Sequence, residues 1–346
     1  MPRRPESRAA RALAGLGLCW ASSAGCNAVL GIHAPVEADF DAFEGGVLAP
    51  QDASSTDAST HLSDAGSPDA GGSDFASRRA FATWPMPNPP TDAHHPMSYA
   101  VQSDEVVRDQ ITQLEWVRSA PSELYAWQDA SAYCDQLTVA GGGFRLPSRI
   151  ELLSLLDPSR VSPAIDSDVF PDQPGSPYWS DSPLADNHAR RWAIELQFST
   201  QFALPRELDE PLRVRCVRES EDRAAPSPAR FMANAGVVRD LGTQLTWQAD
   251  DAPSSLSQAD ALSYCAGLPL DGGGFRLPTL KELHTLVDEG RTLPAADPAF
   301  VGTDSEGYWS ATPLAQFPRS AWFVNFARGI DGFAGVDTPQ HVRCVR

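Results

Sequence analysis

A stretch that occurs twice constrains this chain more than any other feature. GGGFRLPSRIEL fills 141–152 and GGGFRLPTLKEL fills 272–283, with seven consecutive residues identical and the two starts 131 positions apart. A return at fixed spacing implies a duplicated structural unit. Gly141 to Gly143 and Gly272 to Gly274 read as a tight turn, because only glycine enters left-handed backbone conformations without a steric cost. Pro147 biases Leu146 away from the helical region. Ser148 then stands three residues before Glu151, and Thr279 three before Glu282, which is the spacing of a capping box. A helix is therefore expected from Ser148 and from Thr279. Its buried stripe is Leu152/Leu283, Leu155/Leu286 and Leu156/Val287. A glycine turn before a helix can cradle phosphate, but the Lys-Ser/Thr that such a loop needs is replaced here by Phe-Arg-Leu-Pro. Arg145 and Arg276 are expected to pair with internal carboxylates.

The repeat extends in both directions. Val106-Val107-Arg108 and Leu114-Glu115-Trp116 read as two strands about an Asp109 turn. Val237-Val238-Arg239 and Leu245-Thr246-Trp247 do the same about Asp240. Two aspartates at one repeat spacing suggest turn formation, since each lacks a second carboxylate for acid–base work. A helix follows, with Ala130/Ala261, Cys134/Cys265 and Leu137/Leu268 on one face and Ser257 as a cap. Beyond the capped helix the copies diverge into long loops, 158–177 and 289–307. Asp166, Asp168 and Asp172 lie in the first, lack the calcium-loop pattern, and are expected to be solvated. The copies converge at Tyr178-Trp179-Ser180 and Tyr308-Trp309-Ser310, followed by strands at Trp192 to Phe198 and Trp322 to Phe326. These tryptophans are expected to fill a core rather than stack on sugar. Closing strands are expected at Arg213 to Arg218 and His341 to Arg346.

Six cysteines divide by position. Cys19 and Cys26 lie near the N-terminus, and each repeat holds one early and one late cysteine. Four cysteines permit three pairings. Duplication favours Cys134–Cys216 and Cys265–Cys344, because a single ancestral unit had to be satisfied alone; buried reduced thiols are the alternative. The chain has 346 residues and a net charge of −18, with no basic cluster, so nucleic acid and other polyanions are disfavoured partners. Lys281 is the only lysine.

Residues 1–25 read as an export signal: Arg3, Arg4, Arg8 and Arg11 precede a short apolar run. The run ends in Ser23-Ala24-Gly25-Cys26, which resembles a bacterial lipobox. It implies cleavage before Cys26 and its lipidation, with signal cleavage near Ala24 and release as the alternative. The residues after it resemble the start of mature myxobacterial lipoproteins. Residues 26–97 are rich in Asp, Ala, Ser, Gly and Pro, and are expected to form a disordered acidic tether. His94-His95 within it is expected to be solvated. The domains are then expected at 98–219 and 230–346, joined by a linker at 220–229.

The repeated motifs resemble the family catalogued as domain of unknown function 1566, also named for the C-terminal domain of Legionella collagen-like adhesins. The pattern runs D-x-x-T-G-L-x-W, a cysteine-bearing helix, W-R-L-P-T-x-x-E-L, Y-W-S and R-C-V-R. Phe144 and Phe275 replace its tryptophan, and Gln110-Ile111 departs from its glycine. The resemblance implies an α+β chain of two tandem C-type-lectin-like domains, each with two helices and small antiparallel sheets. It also implies a helix-to-last-strand disulfide at the positions named above. The expected function is that of a non-enzymatic cell-envelope lipoprotein presenting two binding or adhesion modules to a glycan or an envelope protein. Such a protein is held at the outer membrane or cell surface by its lipid anchor, with no cofactor, no metal and no catalytic residues. An enzyme related to the formylglycine-generating proteins and a purely structural lipoprotein are the alternatives. The calcium-dependent sugar motifs of lectins do not occur, so no particular sugar follows.

Overall fold

The computed structural model describes residues 81–86, 96–172, 175–197, 202–220 and 230–346. The export signal, Cys26, His94-His95 and nearly all of the 220–229 linker lie outside the described residues. The remainder is mixed α and β, with four small sheets whose strands pair antiparallel.

The first copy opens with β1 (Tyr99–Val101), β2 (Val106–Asp109) and β3 (Leu114–Val117). Helix α1 (Trp127–Asp135) and helix α2 (Arg149–Ser154) follow. A second sheet forms from β4 (Tyr178–Pro183), β5 (Arg190–Ile194) and β6 (Ala203–Glu207), and β7 (Val217–Glu219) returns to pair with β3. The second copy repeats the plan: β8 (Phe231–Asn234), β9 (Val237–Asp240), β10 (Thr246–Gln248), α3 (Gln258–Ala266), α4 (Leu280–Leu286), β11 (Gly307–Pro313), β12 (Ser320–Asn325) and β13 (Ile330–Gly335).

Local chemistry explains the matching parts. Asp109 Oδ1 accepts from the amides of Ile111 (2.8 Å) and Thr112 (3.2 Å), and Asp240 Oδ1 from those of Gly242 (2.9 Å) and Thr243 (3.3 Å). Each aspartate thus closes its own hairpin turn. Both capping boxes form: Glu151 Oε2 accepts from the Ser148 amide and Glu282 Oε2 from the Thr279 amide, each at 2.8 Å. The same glutamates grip the preceding arginines, Arg145–Glu151 at 2.7 and 2.8 Å and Arg276–Glu282 at 2.6 and 2.7 Å. One carboxylate therefore ends the extended segment and starts the helix. All six glycines of the two turns have positive φ, from 78° to 93°. The turn presents carbonyls inward: Arg218 donates to Ala140 O and Gly142 O, and Arg346 to Asp271 O and Gly273 O. An anion would meet oxygens there, so the turn serves the closing arginine and not a phosphate.

Tyr-Trp-Ser is likewise a packing device. Trp179 and Trp309 are fully buried, with Nε1 donating to Tyr125 O and to Leu256 O. Ser180 and Ser310 donate to the carbonyls of Trp192 and Trp322 on the neighbouring strand. Burial of each such ring contributes roughly 2–3 kcal/mol from area alone. Trp192 and Trp322 are buried as well.

Three expectations need correction. The closing segments are strands only in part. Just β7 is a regular strand, and Arg213, Val345 and their neighbours make isolated bridges, because each runs between two sheets and pairs alternately. Asp172 is not a solvated loop residue, for reasons given below. Within the stretch expected to be tether, residues 81–86 lie against the second copy. Ala82 and Trp84 are buried, and the Met86 amide donates to Thr243 O. Phe81 and Trp84 supply apolar surface that the surrounding Asp, Ser and Gly lack.

The two copies share a core. Helix α2 packs on α4, and β6 lies beside β13. Asp331, on β13, accepts from the amides of Phe202 (2.7 Å) and Ala203 (2.9 Å), and Phe202 stacks on Trp322 with centroids 4.6 Å apart. Arg149 is buried in the seam. It donates to His284 Nδ1 and to Gly329 O, with Glu289 3.9 Å away. Burial pushes the Glu289 carboxyl up to about 7, and burial together with Arg149 holds the His284 imidazole well below its ordinary value.

Candidate functional site

The sequence-predicted site residues resolve first into crosslinks. Cys134 bonds Cys216 and Cys265 bonds Cys344, spanning 82 and 79 residues. Each ties a helix to the closing segment of its own copy, as duplication favoured. Loops of this length are worth about 4 kcal/mol in the chain-entropy model. The bridges lie in apolar clusters with Phe144, Leu146 and Trp179, or with Phe275, Leu277 and Trp309, so no reactive thiol remains among the described residues.

The divergent loops gather around one buried arginine in each copy. In the first, Arg215 donates to the carbonyls of Val117 (2.8 Å) and Arg118 (2.9 Å) and meets Asp172 at 2.6 Å. Tyr178 donates to the same carboxylate at 2.7 Å. Burial raises the Asp172 pKa, but Arg215, Tyr178 and the Ala120 amide outweigh it and leave the group below its ordinary value. In the second copy Arg343 occupies the equivalent place and donates to Gln248 O, Ala249 O and Thr303 Oγ1. Its carboxylate is Asp251, which comes from the β10–α3 connection and not from the long loop. Tyr308 donates to Asp251. Burial pushes Asp251 up despite Arg343, and the charge of Asp304 adds to the rise.

Asp251, Asp304 and His341 bring ligand-type atoms within 4.8 Å of one another, the one such grouping among the described residues. His341 Nδ1 lies 3.4 Å from Asp304 and 3.9 Å from Asp251. Carboxylate and imidazole can hold a divalent cation. Here Asp251 already neutralises Arg343 and accepts from Tyr308, and Asp304 is exposed, so the grouping reads as the arginine's own pairing network. Asp166 is committed too, accepting from the Asp168 amide and facing Arg160 at 3.6 Å. Sequence reasoning missed Asp251 because its counterpart in the first copy is Ala120, and a comparison of copies could not mark it.

These features recur in both copies at the positions of one known module. The Lcl C-terminal domain model matches residues 105–218 and again 236–346. The chain belongs to that family. The matched spans include both capping boxes, both bridges and both buried arginines, so the elements that define the Lcl C-terminal domain here are those that hold it together. No curated protein matches the chain. No helix among the described residues is long and apolar enough to cross a membrane.

Proposed function

We propose that the chain is a non-enzymatic cell-envelope lipoprotein that displays a fused pair of Lcl C-terminal domains as a binding or adhesion module. One observation carries this reading. The four domain cysteines are spent on structural bridges, and the polar clusters of both copies are spent on buried arginines, which leaves the divergent loops as the variable surface. Loops on a rigid scaffold are where recognition residues accumulate. The arrangement of two helices, small antiparallel sheets and a helix-to-closing-segment bridge supports a C-type-lectin-like description of each copy. Formylglycine-generating chemistry needs free thiols, and the bridges oppose it. The lipobox-like Ser23-Ala24-Gly25-Cys26 supports an anchor at Cys26. An acidic chain favours a neutral glycan or an envelope protein over a sulfated ligand.

The shared core changes how a pair of sites would act. The copies do not move as beads on a string, so two ligand contacts would be held at a fixed separation. The test has two arms. A peptide map of the mature protein is expected to begin at an acylated Cys26 and to contain the two intra-copy bridges; an intact first 25 residues would overturn the anchor. A glycan array and a pull-down from envelope extract are expected to show capture that is lost when the exposed loop residues Ser159, Val161 and Asp168, or Leu293, Val301 and Glu306, are substituted. Blank results in both would leave a structural lipoprotein as the reading.

A further inference from the structure

The seam joins each element to its own counterpart. Helix α2 packs on α4, and β6 lies beside β13; in each pair the partners hold the same place in their copies. The side chains follow the same rule. Lys281, the counterpart of Ile150, donates to Ser154 O at 2.8 Å, and Ile150 lines the same small cavity as Thr285, the counterpart of Ser154. Arg149, the counterpart of Leu280, donates to His284, the counterpart of Leu153, and Leu280 and Leu153 are both buried in the shared core. Ala203 pairs with Ile194 as Asp331 pairs with Val324, so these two are counterparts as well, and Asp331 accepts from the Ala203 amide at 2.9 Å. A position that touches its own counterpart lies on a twofold axis. The copies are thus related like the halves of an isologous dimer, in which residue i meets j and j meets i.

The frame is symmetric, but the residues that fill it are not, and their differences favour one pairing. A pair of first copies would set the buried Arg149 against Leu153 in place of an imidazole. It would also turn the amides of Phe202 and Ala203 toward an alanine in place of the Asp331 carboxylate. A pair of second copies would bring two buried Asp331 carboxylates together. The 81–86 segment adds a further check. A Cβ on Gly242 would stand 2.7 Å from Ala82 O, and the first copy carries Ile111 at that position, so the segment fits the second copy and not the first. Unpaired buried charge and a blocked backbone approach both act against a wrong partner.

We propose that the seam is a directional pairing surface: the first copy recognises the second as one subunit recognises another, and neither recognises itself. The linker at 220–229 is then not what keeps the copies together. The proposal makes no use of the divergent loops and stands apart from the adhesion reading.

The full chain with a protease site placed in the linker tests it. After native cleavage, the two fragments are expected to stay together as a mixed pair in size-exclusion chromatography at micromolar concentration. Unfolded together in urea with their bridges intact and then diluted, they are expected to re-form mixed pairs in native mass spectrometry, with like pairs a small minority. Pairing without preference would make half of all pairs like. Asp331→Asn keeps an acceptor for the two amides and removes the repulsion, so pairs of the second fragment are expected to appear. Gly242→Val obstructs the Ala82 carbonyl and is expected to weaken the mixed pair at least about tenfold. Fragments that separate on cleavage, like pairs at half of the total, an Asp331→Asn chain that forms no second-fragment pairs, or a Gly242→Val pair of unchanged affinity would each overturn the proposal.

Discussion

The two copies place the same buried arginine at the same point and neutralise it from different places. Arg215 takes Asp172 from the long loop after α2, whereas Arg343 takes Asp251 from the connection before α3. The same freedom appears at the head of the first helix. Trp127 Nε1 and Gln258 Nε2 occupy equivalent positions and donate to equivalent carbonyls, Ser180 O and Ser310 O. Duplication has preserved which group must be satisfied, not which residue satisfies it. A buried guanidinium demands a carboxylate, and any loop within reach can supply one.

The largest expected effect tests that statement. Asp172→Asn strips Arg215 of the one carboxylate it meets among the described residues and is expected to cost about 3–5 kcal/mol in urea unfolding. Asp251→Asn is expected to cost about 1–2 kcal/mol less, because Thr303 Oγ1 already accepts from Arg343 and Asp304 stands close by. The Asp172 carboxyl is below its ordinary value when folded, so its stabilisation is present above the unfolded value near 4 and disappears as pH falls through the folded one. The difference between the Asp172→Asn chain and its parent should therefore shrink at low pH. Equal costs for the two substitutions at neutral pH would break the comparison.

The seam offers a second asymmetry, of smaller effect. On α2 the chain places Arg149, and the matching position on α4 is Leu280. One half of the interface is thus a buried polar network of Arg149, His284 and Glu289, and beside it lie the apolar Ile150 and Leu153 of α2 with the half-buried Lys281 of α4. Glu289 has a folded pKa of about 7 against an ordinary 4.5. The folded state holds the proton more tightly, so the parent loses stability as pH rises from the unfolded value to the folded one. Glu289→Gln removes that loss. Its gain over the parent is expected to be near zero at low pH and to grow to at most about 3 kcal/mol above neutrality. His284, lowered by burial and Arg149, acts the other way in the parent: stability falls as pH drops below its unfolded value near 6.5. Because His284 remains in the variant, comparing the two chains isolates the glutamate. A gain that does not depend on pH would show that Glu289 stays charged in the fold.

How much of this was legible in the sequence follows from what repetition can and cannot mark. Capping boxes, glycine turns, Asp-headed hairpins and cysteine pairing all depend on residues within one copy at fixed spacing, and each is found where the spacing puts it. The Tyr-Trp-Ser motif was read as core, and the structure adds the bond that each of its residues makes. Contacts between the copies left no repeated signal. Arg149, His284, Asp331 and Lys281 find their partners across the seam where the copies meet, and in each pair one copy differs from the other. Asp172 was misread because a carboxylate in a divergent loop looks solvated until its arginine is known. The burial of Ala82 and Trp84 was hidden by neighbours rich in Asp, Ser and Gly, although the aromatic cluster at Phe81 and Trp84 stood out from them.

The smallest effect concerns the element that both copies share most fully. Ser148 Oγ accepts from the Glu151 amide at 3.4 Å, near the limit for such a bond, whereas Thr279 Oγ1 accepts from Glu282 at 3.3 Å and also donates to its carboxylate at 3.2 Å. Removing a cap costs about 1 kcal/mol. Ser148→Ala and Thr279→Ala are each expected to fall near that figure, with Thr279→Ala the larger because it loses a second bond and a methyl group. The glutamates remain gripped by Arg145 and Arg276 in both variants, so the helices should still start at the same residues. Paired thermal unfolding measures the two shifts. If both vanish, the arginine–glutamate clasp alone sets the helix start, and the hydroxyl is incidental to the motif. If Ser148→Ala is the costlier, the long cap distance does not reflect a weaker bond, and the copies differ at this position for a reason that lies in the seam.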